Sequence, residues 1–419
     1  MGNKLRAGTK SLIYLLSCAL NNKIPDPDKI PVHDIELLPE LCRRHMTGAM
    51  TGAALESVYK VQKKEDKSAS YDPDQEKQPA RSLHLSKEYM KKWESMKNAA
   101  LKRRVLFDME RNSILSILEE KGIWYCPLKG VILQDFYPGF EMREMSDNDI
   151  LYDARFRDEL VTIMESRDYV MENEGVTNHD LFVKSPVYNF EFHTRLFMHT
   201  FSTVFTTYYE DIKKRLIKDD GRQYGYHFTD EDFYIYITAH AFKHFNEGGT
   251  GLRSLTDVYV FLKDRQKNMD TRYVRTEVKK LGMGDFECKC RKVSKKLFSD
   301  PDKCFEGIAS LDPGEREFLS YISKTGAYCT KEDFVKSKVK AYTGRAGKTS
   351  AADRMKYYLT RLFPGEAYYK EAHPYLYKNK ALIPVFLVYR AANAVIKNRG
   401  KILREIAVVK STGHNGKSG

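Results

Sequence analysis

Three acidic residues carry the spacing of a metal centre. Asp147 and Asp149 stand two apart in Arg143-Glu144-Met145-Ser146-Asp147-Asn148-Asp149-Ile150-Leu151, and Glu191 stands in Tyr188-Asn189-Phe190-Glu191-Phe192-His193. On a strand, residues i and i+2 project to one face, roughly 6–7 Å apart. Two carboxylates aimed at one point suit Mg²⁺ (or Mn²⁺), which completes its shell with water and phosphate oxygens. A third carboxylate from a neighbouring strand admits a second ion about 3.5–4 Å away, an arrangement that clamps both sides of an in-line phosphoryl displacement. Phe190 and Phe192 flank Glu191, so strand alternation turns its carboxylate away from the apolar face. Asp-x-Asp is also common in turns, so on spacing alone Asp147, Asp149 and Glu191 stand as candidate metal ligands and catalytic residues.

The remaining candidates surround these acids in sequence. Leu128-Lys129-Gly130 precedes a short helix-like stretch. A glycine there lets backbone approach a phosphate, a helix start offers N–H groups, and Lys129 adds a point charge. Arg143 either binds phosphate or ties its loop to an acid. Ser146 is a phosphate ligand or, more simply, a turn residue. His193 shares the face of Glu191, for substrate contact or a supporting hydrogen bond. His240 and His244 are i,i+4 on one helical face. A zinc protease would need Glu where Ala241 stands, so structural or substrate-contact histidines are expected. Lys243, Arg253 and Asp257 either line a cleft or, for Arg253 and Asp257, pair with each other.

These motifs together resemble the polymerase-β-like nucleotidyltransferase superfamily, and within it the bacterial family usually called uncharacterised nucleotidyltransferase. That family has a Leu-Lys-Gly turn, Tyr-Pro, then Arg-x-Met-x-Asp-x-Asp; here these are Leu128-Lys129-Gly130, Tyr137-Pro138, Arg143, Met145, Asp147 and Asp149. His240, Lys243, His244, Arg253 and Asp257 resemble its helix pair. Phe363-Pro364, Tyr375-Leu376-Tyr377, Ile383-Pro384 and Arg390 resemble its C-terminal segment. The resemblance spans most of residues 10–400. It implies Mg²⁺-dependent transfer of a nucleoside monophosphate from an NTP such as ATP to a hydroxyl or phosphate, with release of pyrophosphate. One position departs from the pattern. Asn148 stands where an apolar residue is usual, and it needs an edge strand or a hydrogen-bond partner. It is the one feature favouring the alternative of an inactive nucleotide- or RNA-binding module on the same fold.

The elements that must hold these residues read as α+β: a small mixed β-sheet nucleotidyltransferase core flanked by helical N-terminal and C-terminal regions. The expected division is a helical region over 1–122, a sheet domain over 123–228, a helical domain over 229–410 and a disordered tail over 411–419. Within the first, residues 63–88 carry Pro73, Pro79 and many charges, the composition of an exposed connection. Residues 88–121 read as one long helix. Strands are expected at 123–128, 148–152, 169–172, 180–184 and 187–193. Thr229 has the character of an N-cap for the helices that follow.

Composition bounds the partners. Seven scattered cysteines and no export signal fit reduced thiols in the cytoplasm, and Cys288-Lys289-Cys290 lacks a second ligand pair for zinc. No apolar run approaches the length of a membrane span. Residues 331–419 hold 19 Lys and Arg against 6 Asp and Glu, so the whole net charge of +13 resides there. This points either to an anionic partner or to solvated helix faces. No basic stripe is interleaved with aromatics, so RNA binding is expected to be weak and non-specific at most, with a small molecule or a protein as acceptor. Ala381–Lys410 joins apolar and basic residues as a membrane-surface segment does, but burial against other helices explains it more simply.

Overall fold

The computed structural model describes residues 5–68, 83–172, 178–327, 335, 350–366, 368–369, 373–390 and 405–409. The expected tail over 411–419 lies outside them. The fold is α+β, with a small mixed sheet of five strands held among helices and a separate antiparallel pair, Leu216–Lys218 with Tyr226–Phe228.

Five strands make the sheet: β1 (Tyr125–Pro127), β2 (Asn148–Tyr152), β3 (Val170–Met171), β4 (His179–Lys184) and β5 (Tyr188–His193). Their spatial order is β1-β2-β5-β4-β3. Only β2 and β5 run parallel; the other neighbours are antiparallel. Strand alternation gives the sheet two different faces. Ile150, Tyr152, Phe182, Phe190 and Phe192 are fully buried on one face, against Ile114 and Leu118 and against Leu160 and Met164. These last belong to α5 (Lys87–Glu120) and α7 (Arg157–Glu165). Leu151 points the other way, into the larger core shared with the helical body.

That body begins with α1 (Thr9–Leu20), whose side chains are almost all buried. A helix apolar on every side must be covered on every side. Here α1 is covered by α4 (Gly48–Ser68), by α12 (Gly284–Phe298) and by α13 (Cys304–Ala309). The N-terminal and C-terminal helices therefore share one core. Two further helices, α9 (Asp230–Glu247) and α10 (Leu252–Arg265), complete it beside the sheet. Between these run the shorter α2 (Val32–Ile35), α3 (Leu38–His45), α6 (Gly130–Leu133), α8 (Thr203–Tyr208) and α11 (Thr271–Lys280). Thr229 caps α9, its hydroxyl accepting from Asp232 N–H at 3.0 Å.

The structure differs from the sequence expectation in two places, and the face that α5 buries is a third feature that no expectation covered. The connection expected over 63–88 is shorter at both ends. The helix α4 runs to Ser68, and Leu83 and Leu85 are buried, with Gln62 bonded to both N–H and C=O of Leu85. In α5 the inward face carries two arginines, Arg104 and Arg111, while Leu101, Val105 and Met109 are exposed. The arginines are buried because each finds acceptors across the fold: Arg104 at Asp135 and the Phe140 carbonyl, Arg111 at Asn148. Finally, apolar residues between 381 and 390 that were expected to pack against helices lie largely exposed.

Candidate active site in the cleft between sheet and helices

The parallel pairing of β2 with β5 sets the site. Its register places Asp149 opposite Glu191 and Leu151 opposite His193. Asp149 and Glu191 thus share the sheet face that looks toward α9, and Asp147 reaches the same place from just before β2. All three line a cleft of about 470 Å³. Its other wall comes from α9 and α10 and includes His240, Lys243, His244 and Arg253.

The segment 137–146 that leads to the acids is tied to the helical body at four points. The Arg143 guanidinium donates to both carboxylate oxygens of Asp257 on α10, at 2.7 and 3.0 Å. Tyr137 O–H donates to Asp257 Oδ1 at 2.7 Å. Glu144 Oε1 accepts from Ala49 N–H, in the first turn of α4, while Glu144 O accepts from Arg253 at 3.1 Å. Of the two readings open for Arg143, the tie to an acid is the one its geometry carries. Arg253 and Asp257 do not pair with each other, because Arg143 and Tyr137 take the carboxylate.

The Leu128-Lys129-Gly130 turn is built for packing. Leu128 is fully buried, and its N–H donates to Asp149 O at 2.9 Å. The helical turn that follows (Gly130–Leu133) is four residues long, and the N–H groups of Val131 and Ile132 already bond to Leu128 O and Lys129 O. A Cβ on Gly130 would lie 2.3 Å from Arg143 Nη1 and 2.8 Å from Met145 Sδ. The glycine therefore makes room for the Arg143 guanidinium, where the sequence suggested a close approach to phosphate. Ser146 lines the cleft, and its carbonyl lies 3.4 Å from Asn189 Nδ2.

Lys129 is the cation at the centre. Its Nζ stands 2.6 Å from Asp149 Oδ1 and 4.0 Å from Glu191 Oε2. Burial alone would lower its pKa, but the three acids outweigh burial and raise it. Asp149 Oδ1 also accepts from His193 Nε2 at 2.8 Å. Behind that ring, Asn178 Nδ2 is 3.2 Å from His193 Nδ1 and equally close to the carbonyls of Arg195 and Leu196. Those carbonyls fix the amide nitrogen toward the ring, so Nδ1 accepts and Nε2 carries the proton given to Asp149. Burial would raise Asp149, yet Lys129 and His193 hold it well below the usual carboxylate range. Asp147 goes the other way. Burial, with Asp149 and Glu191 beside it, pushes it up to about 6.

This charge pattern fits a divalent cation. Three carboxylates line the cleft around one lysine, so the acids outnumber the cation that stands among them. An oxygen-rich donor set suits Mg²⁺ or Mn²⁺. A partly different set, His179, Glu191 and His193, also offers donor atoms within 4.8 Å of one another. In the tautomer set by Asn178, His193 Nε2 is a proton donor and not a ligand. His179 and Asn178 were not anticipated. Their signal lay in the β4 register, which sets His179 opposite His193.

On the helical wall, His240 Nε2 and His244 Nε2 are 3.1 Å apart. Burial first, then Lys129 and Lys243 among the neighbouring cations, holds both in the neutral form, His244 down to about 3. Burial also lowers Lys243.

A family described as Uncharacterised nucleotidyltransferase matches residues 35–299, more than half of the chain. The chain belongs to this family. No curated protein and no solved structure matches it. The match contains the acids, the Leu-Lys-Gly turn and the α9–α10 pair, and ends before the C-terminal segment from Phe363 to Arg390. Membership in this nucleotidyltransferase family supports nucleotidyl transfer and NTP binding in general terms. Among the described residues no helix is long and apolar enough to cross a membrane.

Proposed function

We propose that the chain is a polymerase-β-like nucleotidyltransferase that moves a nucleoside monophosphate from an NTP to a hydroxyl or phosphate acceptor. The observation that carries this reading is the β2–β5 register, which sets Asp149 opposite Glu191. Asp147, Asp149 through its second oxygen Oδ2, and Glu191 would hold Mg²⁺ or Mn²⁺. The metal would neutralise charge on the triphosphate and its pyrophosphate leaving group.

The chain's own residues supply the rest. Lys129 and His193 both engage Asp149 Oδ1, which leaves Oδ2 for the metal in this reading. Lys129, next to the acids, can shift to the β or γ phosphate when a nucleotide enters. Lys243 and Arg253 offer further positive charge on the opposite wall. Asp149 or Glu191, the latter with its side chain one-fifth exposed at the cleft, would take the acceptor's proton. The acceptor in this reading is a small molecule or a protein. The inactive-module alternative rested on Asn148. That residue is fully buried; its Oδ1 accepts from Arg111 at 3.0 Å, while its Nδ2 meets no partner among the described residues, so half of its amide is satisfied.

Incubation with each α-labelled NTP, with and without cell extract, should label an acceptor in the presence of Mg²⁺ or Mn²⁺. Asp147→Asn, Asp149→Asn and Glu191→Gln should each lower labelling at least about 100-fold, with non-additive losses when combined. Labelling unchanged in all three variants would remove the assignment.

A further inference from the structure

The C-terminal unit presents apolar side chains to solvent in a concentration found nowhere else among the described residues. Nine of the nineteen large exposed apolar residues fall between 355 and 389. They form stripes. In the helix Ala351–Leu362, Met355, Leu359 and Leu362 follow at i, i+4 and i+7 and are each about half exposed. The opposite side of that helix is already occupied, since Tyr357 is buried and its hydroxyl donates to Glu405 at 2.6 Å. Residues 383–390 repeat the arrangement. Phe386 packs inward on His373, at 4.4 Å between ring centres, while Val385, Val388 and Tyr389 are 69%, 71% and 63% exposed.

The stretch Ile383 to Tyr389 contains no charged residue and has apolar side chains on every side. A helix of that composition is stable in water only when something covers it. The charge of the segment says what. Residues 331–419 carry 19 Lys and Arg against 6 Asp and Glu. A second copy of so basic a segment would be repelled. Nucleic acid would meet the charge but would leave Met355, Leu359, Val385 and Val388 uncovered, because its bases pair with aromatic platforms and not with aliphatic stripes.

We propose that this unit docks on an anionic lipid surface. Its aliphatic stripes would enter the headgroup region, and its lysines and arginines would meet lipid phosphates. The proposal is independent of the chemistry assigned to the cleft.

The full chain should co-sediment with vesicles of phosphatidylcholine containing about 30% phosphatidylglycerol, and at least tenfold less with phosphatidylcholine alone; raising salt from about 0.1 to 0.5 M should release it. Leu359→Glu with Val388→Glu should cut anionic-vesicle binding at least tenfold. Both positions are solvent-facing, so circular dichroism should be unchanged. Wild-type binding to anionic vesicles does not depend on the variant folding. Absence of that binding overturns the proposal, as does equal binding to both vesicle types or binding unaffected by the variant. A wild-type dimer that the variant dissociates in light scattering would overturn it in favour of self-association. RNA binding lost in the variant would overturn it in favour of nucleic acid.

Discussion

Lys129 Nζ stands 2.6 Å from Asp149 Oδ1, so an internal ammonium occupies the space among carboxylates proposed to take a metal. Its backbone is held at φ +46°, a region non-glycine residues avoid. A unit charge about 4 Å away is worth about 4 kcal/mol at an effective dielectric near 20. Lys129→Ala and Lys129→Gly should therefore bind Mn²⁺ alone at least about tenfold more tightly than wild type. Both should bind ATP more weakly, with a smaller loss for AMP, because the expected contact is to the β and γ phosphates. The glycine variant should be the more stable of the two by about 1 kcal/mol, through relief of backbone strain. Calorimetric titration and chemical denaturation read these effects; weaker Mn²⁺ binding in both variants would disprove the internal-cation role.

Arg143 and Asp257 form a bidentate buried pair that fastens the acid-bearing loop to α10. Removing one partner leaves an uncompensated buried charge, which costs about 3–5 kcal/mol. Arg143→Met or Asp257→Leu alone should lower stability by that amount. The double variant should cost clearly less than the two losses added, and urea denaturation of the four-member cycle measures the coupling. Strict additivity would mean that the pair does not act as a unit.

Gly130 is packed beneath the same guanidinium. Gly130→Ala places a methyl where Arg143 Nη1 and Met145 Sδ already stand. Overpacking of this kind costs about 1–3 kcal/mol, and here it should also displace the loop that carries Asp147. Thermal denaturation and nucleotide titration on Gly130→Ala should both be impaired. A variant as stable as wild type would show that the guanidinium has room to move.

His45 is completely buried, and its Nδ1 accepts from Leu252 N–H at 3.2 Å, at the start of α10. Burial, with help from Arg44, lowers its pKa to about 4. The folded state therefore prefers the neutral ring. That preference contributes stability above the unfolded value near 6.5 and is lost as pH falls from there through about 4. The loss at the acid end is on the order of 3 kcal/mol, at about 1.4 kcal/mol per pH unit. In His45→Gln the fall of melting temperature between pH 6.5 and 4 should be shallower than in wild type; parallel curves would exclude His45 as a source of the acid sensitivity.

Much of the sheet was legible because its signals are local. Alternation of Phe190, Glu191 and Phe192 separates two faces of one strand, and the two-residue spacing of Asp147 and Asp149 needs only the pleat. The Thr229 cap likewise requires nothing beyond three neighbouring residues. The arginines of α5 were illegible for the opposite reason. Arg104 and Arg111 look like solvent residues until Asp135, Asn148 and the Phe140 carbonyl are brought to them from elsewhere in the chain. The apolar residues 101, 105 and 109 then give up the inward face.

The sequence by itself determined that the chain carries three carboxylates on strand-like segments, a lysine-glycine turn before them and an α+β order of elements. These follow from side-chain chemistry and from backbone periods of two and 3.6 residues. Only the tertiary structure decided what the surrounding polar groups do. It paired Arg143 with Asp257 across 114 residues, turned His193 into a donor to Asp149 through Asn178, and placed Lys129 among the acids. A charged group's partner is fixed by distance in space, and no local pattern encodes which of several acids a folded chain will bring within 3 Å of a given cation.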